Sequence, residues 1–153
     1  MSSRPAQDAD RPRRQAMRAV LVALAVITAL TGVAEIVAPA AVLAALGATP
    51  TPLASQLFAT VGMFMVVVGG LLTRSLLRPA PDRDVVLWSG LQKAGAVVAV
   101  SVGVAHTVFG TIALLVAAFD LATAVLLVVY WVRLRDQTVS VPPSPPQRND
   151  DRS

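Results

Sequence analysis

Four ionisable residues lie inside the long apolar segments of this chain, and their types are those that could do chemistry: Glu35, Lys93, His106 and Asp120. An ionised side chain at the centre of a bilayer costs about 2.5–3.5 kcal/mol, so such groups are usually paired, neutralised or used to move ions. Carboxylate, imidazole and amine groups could relay protons, act as acid and base on a substrate, or hold helices together.

Lys93 and Asp120 are predicted to lie at similar depths on neighbouring helices. Lys93 lies roughly 12 Å from the start of its segment, and Asp120 lies roughly 14 Å from the start of the next, which enters from the opposite side. In a hydrocarbon core about 30 Å thick, their depths differ by about 4 Å. We predict a buried ion pair that joins the third helix to the fourth. The alternatives are a proton or ion relay, or a Lys93 side chain that extends alone to the interface.

Glu35, Gln56 and His106 form a second candidate group, a polar cluster near the outer surface. Glu35 is near the end of the first segment, Gln56 is at the start of the second, and His106 is near the end of the third. These positions place the three side chains at one level, where they could line a small cavity that opens outward. The alternative is that each is solvated separately by headgroups and water.

Gly95, Ala99 and Gly103 are small residues spaced four apart in the third segment, so they share one helix face. Small residues let helix backbones approach closely in lipid, which offers no hydrophobic drive for association. This spacing predicts a helix-packing surface. The partner is either another helix of this chain or a second copy.

Composition and segment length predict the elements that must position these residues. Hydrophobic residues make up 55% of the chain and charged residues 14%, against about 45–50% and about 25% in soluble proteins. The apolar residues fall in four runs, each roughly the length that spans a bilayer and apolar nearly all round. The sequence therefore predicts an all-α, polytopic membrane protein, a four-transmembrane-helix bundle with spans over about 19–38, 53–73, 85–109 and 111–132.

The rest of the chain is assigned to tails and one connection. Residues 1–16 and the proline-rich residues 136–153 are predicted to be disordered tails that flank a transmembrane domain over 17–135. Residues 39–52 are either an outer interfacial cap, with two turns of helix that stop at Gly47, or an ordinary loop. The first segment is longer than the 7–15 residues typical of a signal peptide, so an uncleaved span is favoured over a cleaved leader.

The arginines predict an orientation. Of the twelve, five lie in the N-terminal tail before the first span, three lie between the second and third spans, and four follow the fourth. The other two connections contain none. Because positive residues concentrate on the cytoplasmic side, this distribution predicts that both termini are cytoplasmic and that the protein lies in the cell (inner) membrane.

Several classes of chemistry have no support in the sequence. The chain has no cysteine, which excludes disulfides, thiolate catalysis and cysteine metal sites. No nucleophile motif, phosphate-binding loop, dinucleotide fingerprint or metal-ligand set is present. The net charge of +4 comes from arginines that flank apolar runs, which is typical of membrane topology rather than nucleic-acid binding. We expect no cofactor, no metal and no nucleic-acid partner.

The first half of the chain resembles the DoxX-like group of small four-helix bacterial membrane proteins. The resemblance rests on LTGVAEIVAP over residues 30–39, LGA over 46–48 and VGMFMVVVGG over 61–70. It implies a four-helix membrane topology in a bacterial protein. Members of this group are mostly uncharacterised, and some are linked to respiratory or redox membrane complexes.

The favoured hypothesis is a non-enzymatic membrane protein that acts as a structural or accessory subunit. Its partners would be the lipid bilayer and a second copy or another membrane protein. One alternative is a proton-coupled small-molecule transporter that uses Glu35, Lys93, His106 and Asp120. Another is a membrane enzyme on a lipid-like substrate, with Glu35 and His106 as acid and base.

Overall fold

A computed structural model describes the backbone of residues 4–139 and the side chains of residues 13–135. Over this range the chain is helical and contains no β-strand. Five α-helices follow one another, and a short 3-10 turn, Thr111–Ala113, precedes the last. They are α1 (Arg4–Val37), α2 (Pro39–Ala45), α3 (Pro52–Leu77), α4 (Arg83–Ala105) and α5 (Leu114–Val139).

Within the described residues, four stretches of helix are long and apolar enough to cross a membrane, which confirms the predicted all-helical, four-span class. They are Arg13–Val37, Pro52–Leu77, Arg83–Ala105 and Thr111–Arg135. The chain therefore has the composition and architecture of a multi-pass membrane protein.

Helix extends further than predicted in the first and last helices of the chain. α1 begins at Arg4, inside the stretch 1–16 that was predicted to be a disordered tail. α5 continues to Val139, past the predicted tail boundary at 136, and residues 140–153 lie outside the described range. Propagating a helix is much easier than starting one, so the two spans extend into adjacent residues such as Arg, Gln and Ala that favour helix.

The bundle consists of two helical hairpins. α1 packs mainly on α3, and α4 packs mainly on α5, while contacts between the two pairs are sparser. The hairpins meet in an apolar core at the end of the bundle where α1 begins and α5 ends. Its buried residues are Leu21, Ala25, Leu72, Leu76, Val86, Leu127 and Tyr130.

Helix boundaries follow from local capping chemistry. Thr51 caps α3 by accepting a hydrogen bond from the Ala54 amide at 3.1 Å, and Asp82 caps α4 by accepting from the Asp84 amide at 2.9 Å. These are the side-chain types that satisfy free amides at helix starts. Gly47 ends α2, as predicted, with a positive φ of 75°. The Ala48 amide donates to the Leu43 carbonyl at 3.0 Å, which is the Schellman arrangement.

The third span ends earlier than predicted. α4 stops at Ala105 rather than at residue 109, because Thr107 has a positive φ of 57° and breaks the helix. The amides of Val108 and Phe109 then donate back to the Gly103 carbonyl, at 2.8 and 3.3 Å. His106 consequently lies at the end of α4 rather than inside it.

At one end of the bundle, the backbones of the α2–α3 and α4–α5 connections contact each other. The Gly110 amide donates to the Leu46 carbonyl at 2.8 Å, and a side chain at Gly47 would collide with Gly110 at 2.9 Å. The connection of one hairpin is thus hydrogen-bonded directly to the connection of the other.

Candidate functional site

The structure brings Lys93 and Asp120 together in the centre of the bundle. The Lys93 Nζ atom lies 2.6 Å from Asp120 Oδ1, and the two side chains are only 4% and 6% exposed. The ammonium also lies 5.5 Å from the centre of the Phe119 ring, a position that favours a cation. α4 supplies the cation and α5 the anion, so the pair joins the two helices of the second hairpin.

A layer of buried hydroxyl groups lies beside Lys93. Thr28, Ser89 and Thr123 are all buried, and they line one small interior void together with Lys93. The Thr28 hydroxyl donates to the Leu24 carbonyl at 3.0 Å, and the Thr123 hydroxyl donates to the Phe119 carbonyl at 2.8 Å. Both threonines satisfy their donors within their own helices, so the layer adds polarity without requiring a ligand.

The space left beside the ion pair is very small. The void that Thr28, Gln92, Lys93 and Thr123 help to line has a volume of about 10 Å³. About 10–15 Å³ of such space is needed for a single water molecule. This void therefore has no room for an organic substrate.

Glu35 is also buried, with 6% of its surface exposed. It lies against α3, where a side chain added at Gly62 would meet the Glu35 Cβ at 2.8 Å. Its Oε2 atom has no hydrogen-bond partner among the described residues, and the same is true of the buried Oε1 atom of Gln92. Glu35 thus belongs to the bundle interior rather than to its surface.

The predicted outer cluster of Glu35, Gln56 and His106 is not assembled. Glu35 is buried, whereas Gln56 and His106 are exposed, and no hydrogen bond joins any two of the three within the described chain. His106 lies on the surface because α4 ends before it. Gln56 is six residues before Gly62, which faces α1, so it lies about 120° away from that contact around the helix.

Within the described residues, the predicted helix-packing face on α4 is not packed against another helix. Gly95 has open space where a side chain would be, and Ala99 is exposed. Gly103 is covered by the ring of Phe109, which folds back from the following turn. Another helix of the same chain, one of the two partners considered for this face, is therefore not found among the described residues.

The close helix contact is made in the first hairpin instead. Side chains added at Gly32 and Gly62 would each collide with the carbonyl oxygen of the other glycine, at 2.5 and 2.6 Å. Gly69 lies one heptad after Gly62, and a side chain there would meet the Ala25 carbonyl at 2.8 Å. Seven residues are close to two helical turns, so the spacing of Gly62 and Gly69 is the sequence signal for this face.

Ser89 and Thr123 are buried site residues that the sequence analysis did not identify. Ser89 precedes Lys93 by four residues and Thr123 follows Asp120 by three, so each shares a helix face with one member of the ion pair. This spacing is the signal that could have found them.

Comparisons of the chain with protein-family models, with curated proteins and with solved structures give no match. The functional proposal therefore rests on the fold and on the geometry of the site.

Proposed function

We propose that this chain is a small integral membrane protein of the cell membrane that acts as a structural or accessory subunit. The observation that supports it is the closed interior, in which Lys93 and Asp120 contact each other directly beside a void of about 10 Å³. Transporters hold their substrates in sites near the bilayer midplane, and a void of this size is too small to be such a site. The resemblance to DoxX-like proteins is consistent with a small multi-pass subunit.

The contact surface of such a subunit would be the exposed face of α4. Gly95 and Ala99 leave a shallow path along the helix, flanked by the exposed side chains of Val98 and Val102. A second helix could approach this path closely, and close packing is what drives helix association in lipid. The first partner to test is a second copy of the chain.

Cysteine cross-linking tests this contact directly, because the natural sequence has no cysteine. We expect Ala99→Cys to form a disulfide-linked dimer in membranes under mild oxidation. Ala122→Cys is the matched control, because Ala122 is also exposed but lies on α5. A chain that stays monomeric with Ala99→Cys, or that cross-links equally through Ala122→Cys, would contradict self-association through α4.

We also propose that both termini are cytoplasmic, which is supported by the arginines at the end of the bundle that holds the termini. Thr49 is exposed in the α2–α3 connection and provides the test. A membrane-impermeant thiol reagent added outside intact cells should label Thr49→Cys. Labelling only after the cells are opened would reverse the orientation.

Proton movement is a second candidate function, favoured by one observation. Glu35, Lys93 and Asp120 are each buried, so the bundle interior holds two acidic groups and one basic group. Glu35 Oε2 has no hydrogen-bond partner in the described chain. One negative charge is therefore unbalanced if all three are ionised. A proton or a monovalent cation would neutralise it. The acid–base alternative gains no such support, because Glu35 is buried and His106 is exposed.

Liposomes that contain the purified protein and a pH-sensitive dye test this second candidate. If the protein conducts protons, an imposed pH gradient should collapse faster with the natural protein than with Glu35→Gln. Thr60→Val serves as control, because Thr60 is an exposed polar residue of α3. Equal rates for protein-containing and empty liposomes would eliminate proton movement and leave the subunit proposal in place.

A further inference from the structure

A groove of about 590 Å³ runs between α1 and α3 on the outward face of the first hairpin. Its walls are apolar and include Val26 and Leu30 from α1 and Leu77 from α3. All three side chains are exposed in the isolated chain, at 40%, 62% and 66%. In a membrane this groove would face lipid.

Gly70 is the reason that the groove is open. A side chain at the neighbouring Gly69 would collide with α1, whereas one at Gly70 would meet no atom within 4 Å. The two glycines therefore have different roles: Gly69 permits the helix contact, and Gly70 leaves the space beside it unfilled.

Two arginines line one end of the groove. Arg74 follows Gly70 on α3 by one helical turn, roughly 6 Å. Arg78 is the first residue after α3 and has an extended backbone. Both are exposed groove residues. Their guanidinium groups form no hydrogen bond or ion pair with the described residues. Arg18, by contrast, is already occupied, because it donates to the backbone carbonyls of Leu76 and Arg78.

We propose that this groove binds an anionic glycerophospholipid. One acyl chain would lie along Val26, Leu30 and Gly70, and the phosphate would lie between the guanidinium groups of Arg74 and Arg78. The charge complementarity supports this occupant, because the groove has cations at one end only and is otherwise mostly apolar. Guanidinium groups bind phosphate through paired, charge-assisted hydrogen bonds. Basic pockets between membrane helices recognise anionic headgroups in this way.

The lipid site does not depend on the proposed subunit function. It is built by α1 and α3, whereas the subunit contact is assigned to α4. A protein that fails to dimerise could still retain lipid, so the two proposals fail separately.

Native mass spectrometry of the full-length protein in detergent tests the site, with dioleoyl phosphatidylglycerol and dioleoyl phosphatidylcholine as probes. The natural protein should retain at least fivefold more of the anionic lipid. Each arginine contributes a preference of roughly fivefold for anionic lipid. Arg74→Gln together with Arg78→Gln should therefore reduce the retention of phosphatidylglycerol to that of phosphatidylcholine. sn-Glycerol 3-phosphate alone should not compete, because it has no acyl chain.

Gly70→Leu tests the apolar part of the groove independently of charge. The new side chain fills open space, so the protein should keep its helicity and thermal stability while its retention of phosphatidylglycerol falls at least threefold. Ala122→Leu adds a similar side chain to an exposed position on α5, and Arg13→Gln removes a positive charge from α1 outside the groove. Neither control should change lipid retention.

Three results would overturn the proposal. The first is equal retention of the two lipids by the natural protein. The second is a loss with Arg13→Gln as large as the loss with the double arginine variant. The third is unchanged retention with a correctly folded Gly70→Leu variant.

Discussion

The two hairpins of this bundle are held together in different ways. In the first, α1 and α3 approach until their backbones touch, with glycine on both sides at Gly32 and Gly62. In the second, α4 and α5 are joined by side chains, through the 2.6 Å contact between Lys93 and Asp120. A side chain at Gly90 of α4 would meet Leu127 at 3.5 Å, an ordinary contact.

This difference shows two solutions to one problem. Lipid provides no hydrophobic drive that pushes helices together, so association depends on close packing or on polar contacts. The first hairpin gains packing contacts over a long interface and needs no charge. The second confines a strong interaction to one point, which leaves the rest of the α4–α5 interface to larger side chains. Each hairpin should therefore be sensitive to a different kind of substitution.

The largest expected effect is the loss of one member of the ion pair. Lys93→Met should destabilise the protein by about 3–5 kcal/mol, because Asp120 would remain as a buried charge without a partner. Unfolding in increasing mole fractions of sodium dodecyl sulfate, followed by circular dichroism, measures this change.

The matched control for that experiment replaces both partners. Lys93→Met combined with Asp120→Leu removes the two charges together, so most of the lost stability should return. If the double variant is as unstable as the single one, the packing of the lysine side chain matters more than its charge. The α4–α5 hairpin would then resemble the α1–α3 hairpin more closely than its geometry indicates.

A smaller loss of stability is expected when a single methyl group is added to the interface of the first hairpin. The new Cβ of Gly62→Ala would lie 2.6 Å from the Gly32 carbonyl oxygen, so the helices must move apart. Such overpacking costs about 1–3 kcal/mol. Gly70→Ala is the control in the same helix, because its Cβ would meet nothing within 4 Å. Equal stabilities of these two variants in the detergent titration would contradict backbone contact in this hairpin.

The smallest effect is expected at Gly90 in the second hairpin, where a substitution should increase stability. Gly90→Ala adds a methyl group at an ordinary distance of 3.5 Å from Leu127. Alanine is favoured over glycine within a helix by about 0.5–1 kcal/mol, so the variant should be slightly more stable. A higher thermal midpoint would support the distinction between the hairpins, whereas a clear drop would show that α4 and α5 also depend on glycine.

The number of spans and the ion pair were both accessible from the sequence, for a common reason. A helix that crosses a membrane requires a fixed apolar length, and a buried charge requires a partner at its own depth. Both requirements act along the helix axis, so residue number alone gives the position. That is why the depths of Lys93 and Asp120 indicated their contact.

The rotation of each helix about its axis was much harder to predict. The spans are apolar nearly all round, so the pattern does not distinguish a face that meets protein from one that meets lipid. The small residues Gly95 and Ala99 therefore look equivalent to Gly62 and Gly69 in the sequence, although only the second pair is used for contact within the chain. Similarly, Glu35 was predicted to join an outer polar cluster, whereas it is buried against α3.

The pairing of two helices that are adjacent in sequence also limits how long a buried charge lacks its partner during membrane insertion. Lys93 and Asp120 are 27 residues apart. Chains are synthesised at about 5–20 residues per second, so Lys93 precedes its counter-ion by roughly 1–5 s. A charge on α1 would wait several times longer if its partner lay on α5, the last helix to be synthesised. By placing both charges in adjacent helices, the protein limits the time for which a lone cation must be sheltered from lipid during its own biosynthesis.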